Sequence, residues 1–244
     1  MKTLFDIVGA AMKTARDESI VRPRALKGFS REDLICVPFD PAPGVLLAQI
    51  RKKAKRERRL GGSSVFLLPK AAVLYGCLGA PAAVAALELL LASGVRRVLL
   101  LSFCGSLDPA IRIGDVVSVT GAISDEGTSA RYLRRRSSFP SSPRLRRTAE
   151  ARLQAVRFLL ARATCVSTDA PYRETTAWLE SMRRKGAGVV DMEASAVFAL
   201  AEFRGVEAAA VMIVTDELFT GRWNVARRAG PIGERIRTCF VPFL

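Results

Sequence analysis

The chain contains no histidine. That absence removes Ser-His-Asp and Cys-His nucleophilic machinery, histidine general bases and most catalytic metal sites together. Any chemistry must therefore rest on carboxylates, hydroxyls, backbone dipoles or arginine. Cysteine is sparse: Cys36, Cys77, Cys104, Cys165 and Cys239 are scattered without a close pair, which points to reduced thiols and against a disulfide framework or a zinc site. No metal and no cofactor is expected. Long apolar runs are missing as well. The most apolar stretch, residues 84–101, is broken by Glu88, Arg96 and Arg97, so it falls short of the roughly 20 clean residues of a spanning helix and reads as a buried helix followed by a buried strand. Near the start, Asp6 interrupts the apolar run 4–12 and no small-residue cleavage site follows before the charged stretch 13–18, so no secretory signal is read. A cytoplasmic protein without a membrane partner is the expectation.

What is present is enough for one large core. The chain has 244 residues, 50% of them apolar, and a single globular domain is the simplest reading. Its formal charge is +15, from 38 basic against 23 acidic side chains, with basic runs at 51–59 and 131–147. Such a field attracts polyanions. The runs lack interleaved aromatics and sit on no nucleic-acid motif, so they read as a solvated arginine-rich face and a flexible basic loop, and nucleic acid is not the expected partner.

Residues 1–33 read as an N-terminal extension, an amphipathic helical segment over 3–16 and then a polar linker, and 34–244 as the domain. Residues 34–37, 65–68, 72–75, 98–101, 115–120, 188–190 and 208–214 read as strands, and 165–167 as the end of another. Helical spacing covers 44–59, 172–185 and 194–203, and a helix with Pro81 in its first turn runs to Ser93 with Gly94 as its stop. This alternation predicts an α/β fold with a mixed sheet covered on both faces. In such sheets ligands gather beyond the C-terminal ends of strands.

Those ends supply Cys104-Gly105-Ser106, Ser167-Thr168-Asp169, Asp191-Met192-Glu193 and Thr215-Asp216. Glu193 opens the helix 194–203, where the dipole stabilises an anion by roughly 0.3–1 kcal/mol. A carboxylate kept ionised there can accept two hydrogen bonds from a vicinal diol. Met192 is a flexible apolar residue suited to lie against a sugar or base. Taken singly, Glu193 is an ordinary acid at a helix start and Asp216 an ordinary helix N-cap; their combination at strand ends sets them apart.

The ordered segments Gly76-Cys77-Leu78-Gly79-Ala80-Pro81, Cys104-Gly105-Ser106-Leu107, Ile113-Gly114-Asp115-Val116-Val117, Asp125-Glu126-Gly127-Thr128-Ser129, Val190-Asp191-Met192-Glu193-Ala194-Ser195-Ala196 and Val214-Thr215-Asp216 resemble the signature of the nucleoside phosphorylase superfamily, the uridine and purine nucleoside phosphorylases and their nucleosidase relatives. The resemblance implies a three-layer α/β/α fold with a mixed, distorted central sheet, assembled as dimers or hexamers. It implies cleavage of the N-glycosidic bond of a nucleoside, with phosphate as a possible co-substrate. Glu193 is then expected to bind the ribose hydroxyls and Met192 to pack on the sugar. Asp191 and Val190 are expected to line the base pocket, with Asp216 serving the leaving base. Cys104, Gly105, Phe103, Tyr172, Pro171 and Thr215 complete the expected substrate contacts. Asp216 favours a purine over a pyrimidine.

Some positions depart from the family pattern. Leu100 stands where an arginine helps bind phosphate, Phe103 where a hydroxyl residue does, and Phe39-Asp40-Pro41 only echoes a Gly-Asp-Pro turn. Pro171 replaces a stacking Phe, and Thr175 and Ala177 lie where uracil would be read. Phosphate-independent hydrolysis of a modified nucleoside, with Asp40 or Glu193 beside the attacking water, therefore stands as an alternative. Nucleoside binding without turnover is another, and a polyanion-binding role for the basic runs is ranked last.

Overall fold

The computed structural model describes residues 19–42, 44–155, 160–226 and 229–244; the amphipathic segment read over 3–16 lies outside them. The α/β architecture follows from runs of β-branched and leucine residues alternating with Ala-rich and Leu-rich helices. Strands β1 (Asp33–Val37), β4 (Ala72–Tyr75), β5 (Arg97–Ser106), β8 (Leu160–Thr168), β9 (Ala187–Asp191) and β10 (Glu207–Glu217) lie in one mixed sheet with β2 (Arg56–Leu60), β3 (Ser63–Leu67), β6 (Val116–Asp125), β7 (Ser138–Pro140) and β11 (Asn224–Val225). β10 pairs with both β5 and β6, β6 with β8, β8 with β9, and β9 returns to β5. The sheet thus closes on itself over five strands, which is the distortion the sequence resemblance implies. Closure brings the C-terminal ends of β5, β8, β9 and β10 to one mouth.

Helices cover both faces. On one side α2 (Ala80–Ala92) and α6 (Ala194–Arg204) pack against Val98, Leu100, Val119 and Met212. α6 is buried along its first eight residues, as expected for a helix apolar on all sides. Glu88 on α2 takes a bidentate pair from Arg204 on α6, at 2.9 and 2.8 Å, which locks the two helices in register. On the other side α1 (Leu46–Lys53), α4 (Pro143–Ala155) and the C-terminal turns after α7 (Ala229–Arg235) cover Ile35, Leu101, Phe103 and Val211. Truncating a core leucine such as Leu87 or Leu101, both essentially unexposed, costs about 2–5 kcal/mol. No helix of the described residues is long and apolar enough to cross a membrane.

Three elements differ from the sequence reading. The helical spacing over 44–59 resolves into α1 and then β2, because Arg56, Arg58 and Arg59 lie on an exposed edge strand paired to β3; alternation with Glu57 satisfies either periodicity over so short a run. The segment 172–185 begins as a 3-10 turn, Pro171–Arg173, before α5 (Thr176–Arg184), since Thr175 caps the helix by accepting from the Trp178 N–H at 3.2 Å. The basic segment 131–147, read as a loop, holds the end of the short helix α3 (Ser129–Tyr132), then β7 and the first turn of α4. Its arginines make specific contacts: Arg146 bonds Glu150 at 2.7 Å.

Candidate active site

The closed end of the sheet surrounds a cavity of about 700 Å³. Its floor comes from β5 (Phe103, Cys104, Gly105), β9 with the following turn (Val190, Asp191, Met192, Glu193) and β10 (Thr215, Asp216), and Pro171 and Tyr172 stand at its side. All the substrate-side residues expected from the sequence therefore meet in one place. Asp40 does not join them. Its carboxylate accepts from the Ala42 N–H at 2.9 Å and from the Tyr75 hydroxyl at 3.1 Å, and only its neighbour Phe39 reaches the cavity.

Two glycines are required by this geometry. A Cβ on Gly105 would lie 2.7 Å from Leu218 Cδ1 and 2.9 Å from Asp216 Oδ2, closer than side chains approach one another, so glycine lets β10 bring its carboxylate over β5. Gly79, at φ 88°, occupies the left-handed region that other residues resist. Its N–H thereby turns toward the Glu193 carboxylate and donates to Oε1 at 2.6 Å. Pro81 sits in the first turn of α2, where its missing N–H costs nothing.

Asp191 is tied inward. Ser167 Oγ donates to Oδ1 at 2.6 Å and the Ala194 N–H to Oδ2 at 2.8 Å. These bonds fasten the strand end to the start of α6. Glu193 stands at the N-cap position of α6, makes no capping bond there and is 3% exposed. Burial, reinforced by the Asp191 charge, pushes its carboxyl up to about 8. The helix dipole, worth roughly 0.3–1 kcal/mol, opposes that rise and is the smaller effect, since a pKa unit is about 1.4 kcal/mol.

Asp216 lies within β10, not at a helix cap. Thr215 Oγ1 donates to its Oδ1 at 2.9 Å and Trp223 Nε1 to its Oδ2 at 3.0 Å. Burial raises its carboxyl, and those two neutral donors only partly offset the rise. The site thus supplies two cavity-lining carboxyls that burial biases toward holding a proton.

Toward the far side Phe103 sits between Phe39 and Phe240, with ring centroids 6.4 and 5.5 Å away. Leu100 is fully buried in the core facing α2 and α6 and is not part of the cavity wall. Several lining residues were not singled out in the sequence: Glu174, Leu218, Arg222 and Trp223. The last three arrive on the turn joining β10 to β11, Leu218 directly after the strand and Arg222 and Trp223 just before β11. A search of whole β-hairpins, not only of strand ends, would have found them.

A family model described as the phosphorylase superfamily matches residues 45–229. Among curated relatives, the guanosine phosphorylase of Halorubrum lacusprofundi is 33% identical over 166 residues, 66% of this chain and 66% of that protein. A DeoD-type purine nucleoside phosphorylase of Geobacillus kaustophilus is 29% identical over 140 residues, 57% of this chain and 59% of that protein. The match thus spans about two thirds or less of these relatives' own lengths. Among solved structures, the purine nucleoside phosphorylase of Toxoplasma gondii, determined with immucillin-H, superposes with a TM-score of 0.74 at 20% identity, covering 92% of this chain and 95% of that one. That likeness speaks to the fold.

Proposed function

Because the chain belongs to the phosphorylase superfamily, we propose that it cleaves the N-glycosidic bond of a purine-type nucleoside, with Glu193 holding the sugar and Asp216 serving the leaving base. The observation that carries this reading is the placement of two carboxyls, Glu193 and Asp216, both raised by burial, on one cavity of about 700 Å³, within the size range of small-molecule sites. The names of the relatives, guanosine and purine nucleoside phosphorylase, agree with a purine base.

The chemistry follows from these positions. Glycosidic cleavage develops oxocarbenium character on the sugar, so hydrogen bonds to its hydroxyls that tighten as charge grows lower the barrier. Gly79 occupies Glu193 Oε1, which leaves the remaining acceptor capacity for the ribose diol. A purine leaves poorly as an anion. An acid that protonates it contributes typically about 10²- to 10⁴-fold, and the raised carboxyl of Asp216 is suited to deliver that proton. Met192 and Val190 supply apolar contact beside the two acids.

The acceptor of the pentosyl group is phosphate in the reading that the relatives' names carry. A second reading, attack by water, is favoured by Phe39 and Phe103, which meet edge to face on the cavity wall and make an apolar surface unsuited to a phosphate dianion. A purine nucleoside panel assayed with and without phosphate separates the two. Release of free base only when phosphate is present supports phosphorolysis, and equal release without it supports hydrolysis. No release under either condition defeats the enzymatic reading, and saturable binding without product would then leave a nucleoside-binding protein.

A further inference from the structure

Two thiols outside the cavity make a contact that the catalytic reading does not use. Cys36 and Cys77 are 41 residues apart in the chain, yet their sulfurs lie 3.6 Å from each other, and both residues are buried. Parallel pairing of β1 with β4 brings them together: Val37 stands opposite Tyr75, and the Gly76 N–H donates to Val37 O at 2.9 Å. Cys36 is held within the sheet, while Cys77 belongs to the loop that leaves it. Among the described residues no other two sulfurs meet; Cys165 instead donates to Asp191, and Cys239 lies against Thr238.

That loop reaches the cavity within two residues. Leu78 lines the wall and is 55% exposed, and the Gly79 N–H is the donor to Glu193 Oε1. Gly76 and Gly79, at φ 79° and 88°, bracket Cys77 and Leu78 with two left-handed residues, a conformation that glycine adopts without steric cost. The position of Cys77 thus sets where the Gly79 N–H points. That N–H orients the Glu193 carboxylate and favours its ionised form.

We propose that Cys36 and Cys77 are a site of oxidative modification, closing to a disulfide when hydrogen peroxide reaches them and so loosening the hold of Glu193 on the sugar. The inference rests on the role given to Glu193 above. Cys77, next to exposed Leu78, meets the oxidant first. Its sulfur attacks one peroxide oxygen, the O–O bond breaks, and a sulfenic acid and one water result. The Cys36 sulfur then attacks the Cys77 sulfur, and the hydroxyl leaves with the Cys36 proton as a second water. Two thiols thereby lose two hydrogens and two electrons, and the peroxide is reduced to two waters. Because both thiols are buried, the rate is set by opening of the loop. The sulfurs have to close from 3.6 Å to the roughly 2.0 Å of a disulfide. Cys36 is fixed by pairing to β4 on one side and β5 on the other, so the loop is the part that moves. Movement on that scale takes the Gly79 N–H away from Glu193, whose carboxyl is left unoriented and more firmly protonated.

The test treats the full chain with hydrogen peroxide, maps cysteine linkages by mass spectrometry of a digest made without reductant, and measures guanosine binding by calorimetry. A bond between Cys36 and Cys77 should appear, with guanosine affinity lowered roughly 10- to 100-fold, the equivalent of one hydrogen bond to a charged group. Dithiothreitol should restore it. Cys36→Ser and Cys77→Ala should each bind guanosine as the parent does before treatment and keep that affinity after it. A variant that loses affinity on treatment as the parent does would assign the loss to another group, such as Cys104 on the cavity floor, and overturn the inference. So would a treated parent without the bond, or one in which the bond leaves affinity unchanged. Base release by a protein that never forms the bond sinks the inference and leaves the proposed function standing. A bond that lowers guanosine affinity in a protein releasing no base does the reverse.

Discussion

Asp216 and Glu217 are neighbours on β10, yet they meet opposite environments. Glu217 is drawn below the usual carboxylate range chiefly by the Arg112 guanidinium, which donates at 2.9 Å, with the Ile113 N–H at 3.0 Å and the Asn224 amide at 3.1 Å completing its shell. Asp216 faces the cavity with two neutral donors and stays above that range because burial is not compensated. The difference teaches where this chain keeps its reactive groups. A carboxylate saturated with donors is fixed in charge and serves architecture, here joining the loop at Arg112 to the end of β10. One left short of donors can exchange a proton, and it belongs to the cavity.

The sharpest way to break the comparison is to neutralise each member in turn. Asp216→Asn keeps the shape and removes the acid, so kcat for base release should fall about 10²- to 10⁴-fold with little change in melting temperature. Glu217→Gln should do the opposite, lowering the melting temperature as Arg112 loses its charged partner while retaining most turnover. Steady-state kinetics and thermal unfolding on the two variants decide the matter. Equal losses of activity would mean that the two faces of β10 are not functionally distinct.

Glu193 extends the contrast to a second cavity carboxyl, with a smaller expected effect. Glu193→Gln cannot ionise as the ribose diol binds, so it should weaken nucleoside binding roughly 10- to 100-fold, matching the about 1.5–3 kcal/mol of hydrogen bonds to a charged group. Stability should respond in the other direction. Below the ordinary glutamate value of 4.5 the folded and unfolded chains both hold the proton and the group contributes no difference. Between there and about 8 the unfolded chain gives up its proton first, so stability falls as pH rises, and the loss is complete above about 8. Glu193→Gln has no such penalty. Its melting temperature relative to the parent should therefore climb between pH 5 and pH 9 even as ligand affinity drops. A difference that does not vary with pH would show that Glu193 is already ionised in the empty protein.

Much of this was legible from residues alone, for reasons that can be named. Runs such as Val98 to Leu101 and Val211 to Val214 permit little but buried strands, and the acids that follow them had to fall at strand ends. Asp191, Met192, Glu193 and Asp216 were found in that way. What could not be read was which acids would lack partners. Glu174 and Glu217 are both acids near cavity-forming segments, and only the folded chain shows that Arg112 reaches Glu217 while, among the described residues, no donor bonds Glu174. At Glu193 sequence shows the helix start but not the depth of burial that works against the dipole. The run 51–59 misled because α1 gives way to an edge strand at a place that charge alone does not mark.

The finest adjustment of Asp216 comes from Trp223, seven residues along the chain and held over the cavity because β11 pairs back onto β10, Val225 opposite Asp216. Its Nε1–H stabilises the ionised form of Asp216 and so draws the carboxyl downward from the height that burial alone would give. Trp223→Phe keeps an aromatic ring and deletes that donor. With one stabilising bond lost the carboxyl should rise further, by at most about one pH unit, since a single neutral hydrogen bond contributes about 0.5–1.5 kcal/mol and a pKa unit is about 1.4. If Asp216 works as an acid, activity at high pH is lost as it ionises, so the basic limb of the kcat profile should move upward in the variant while the acidic limb stays in place. A downward shift would mean that the ionised, not the protonated, form of Asp216 is the active one. An unmoved profile would show that the Trp223 bond is not made once substrate is bound.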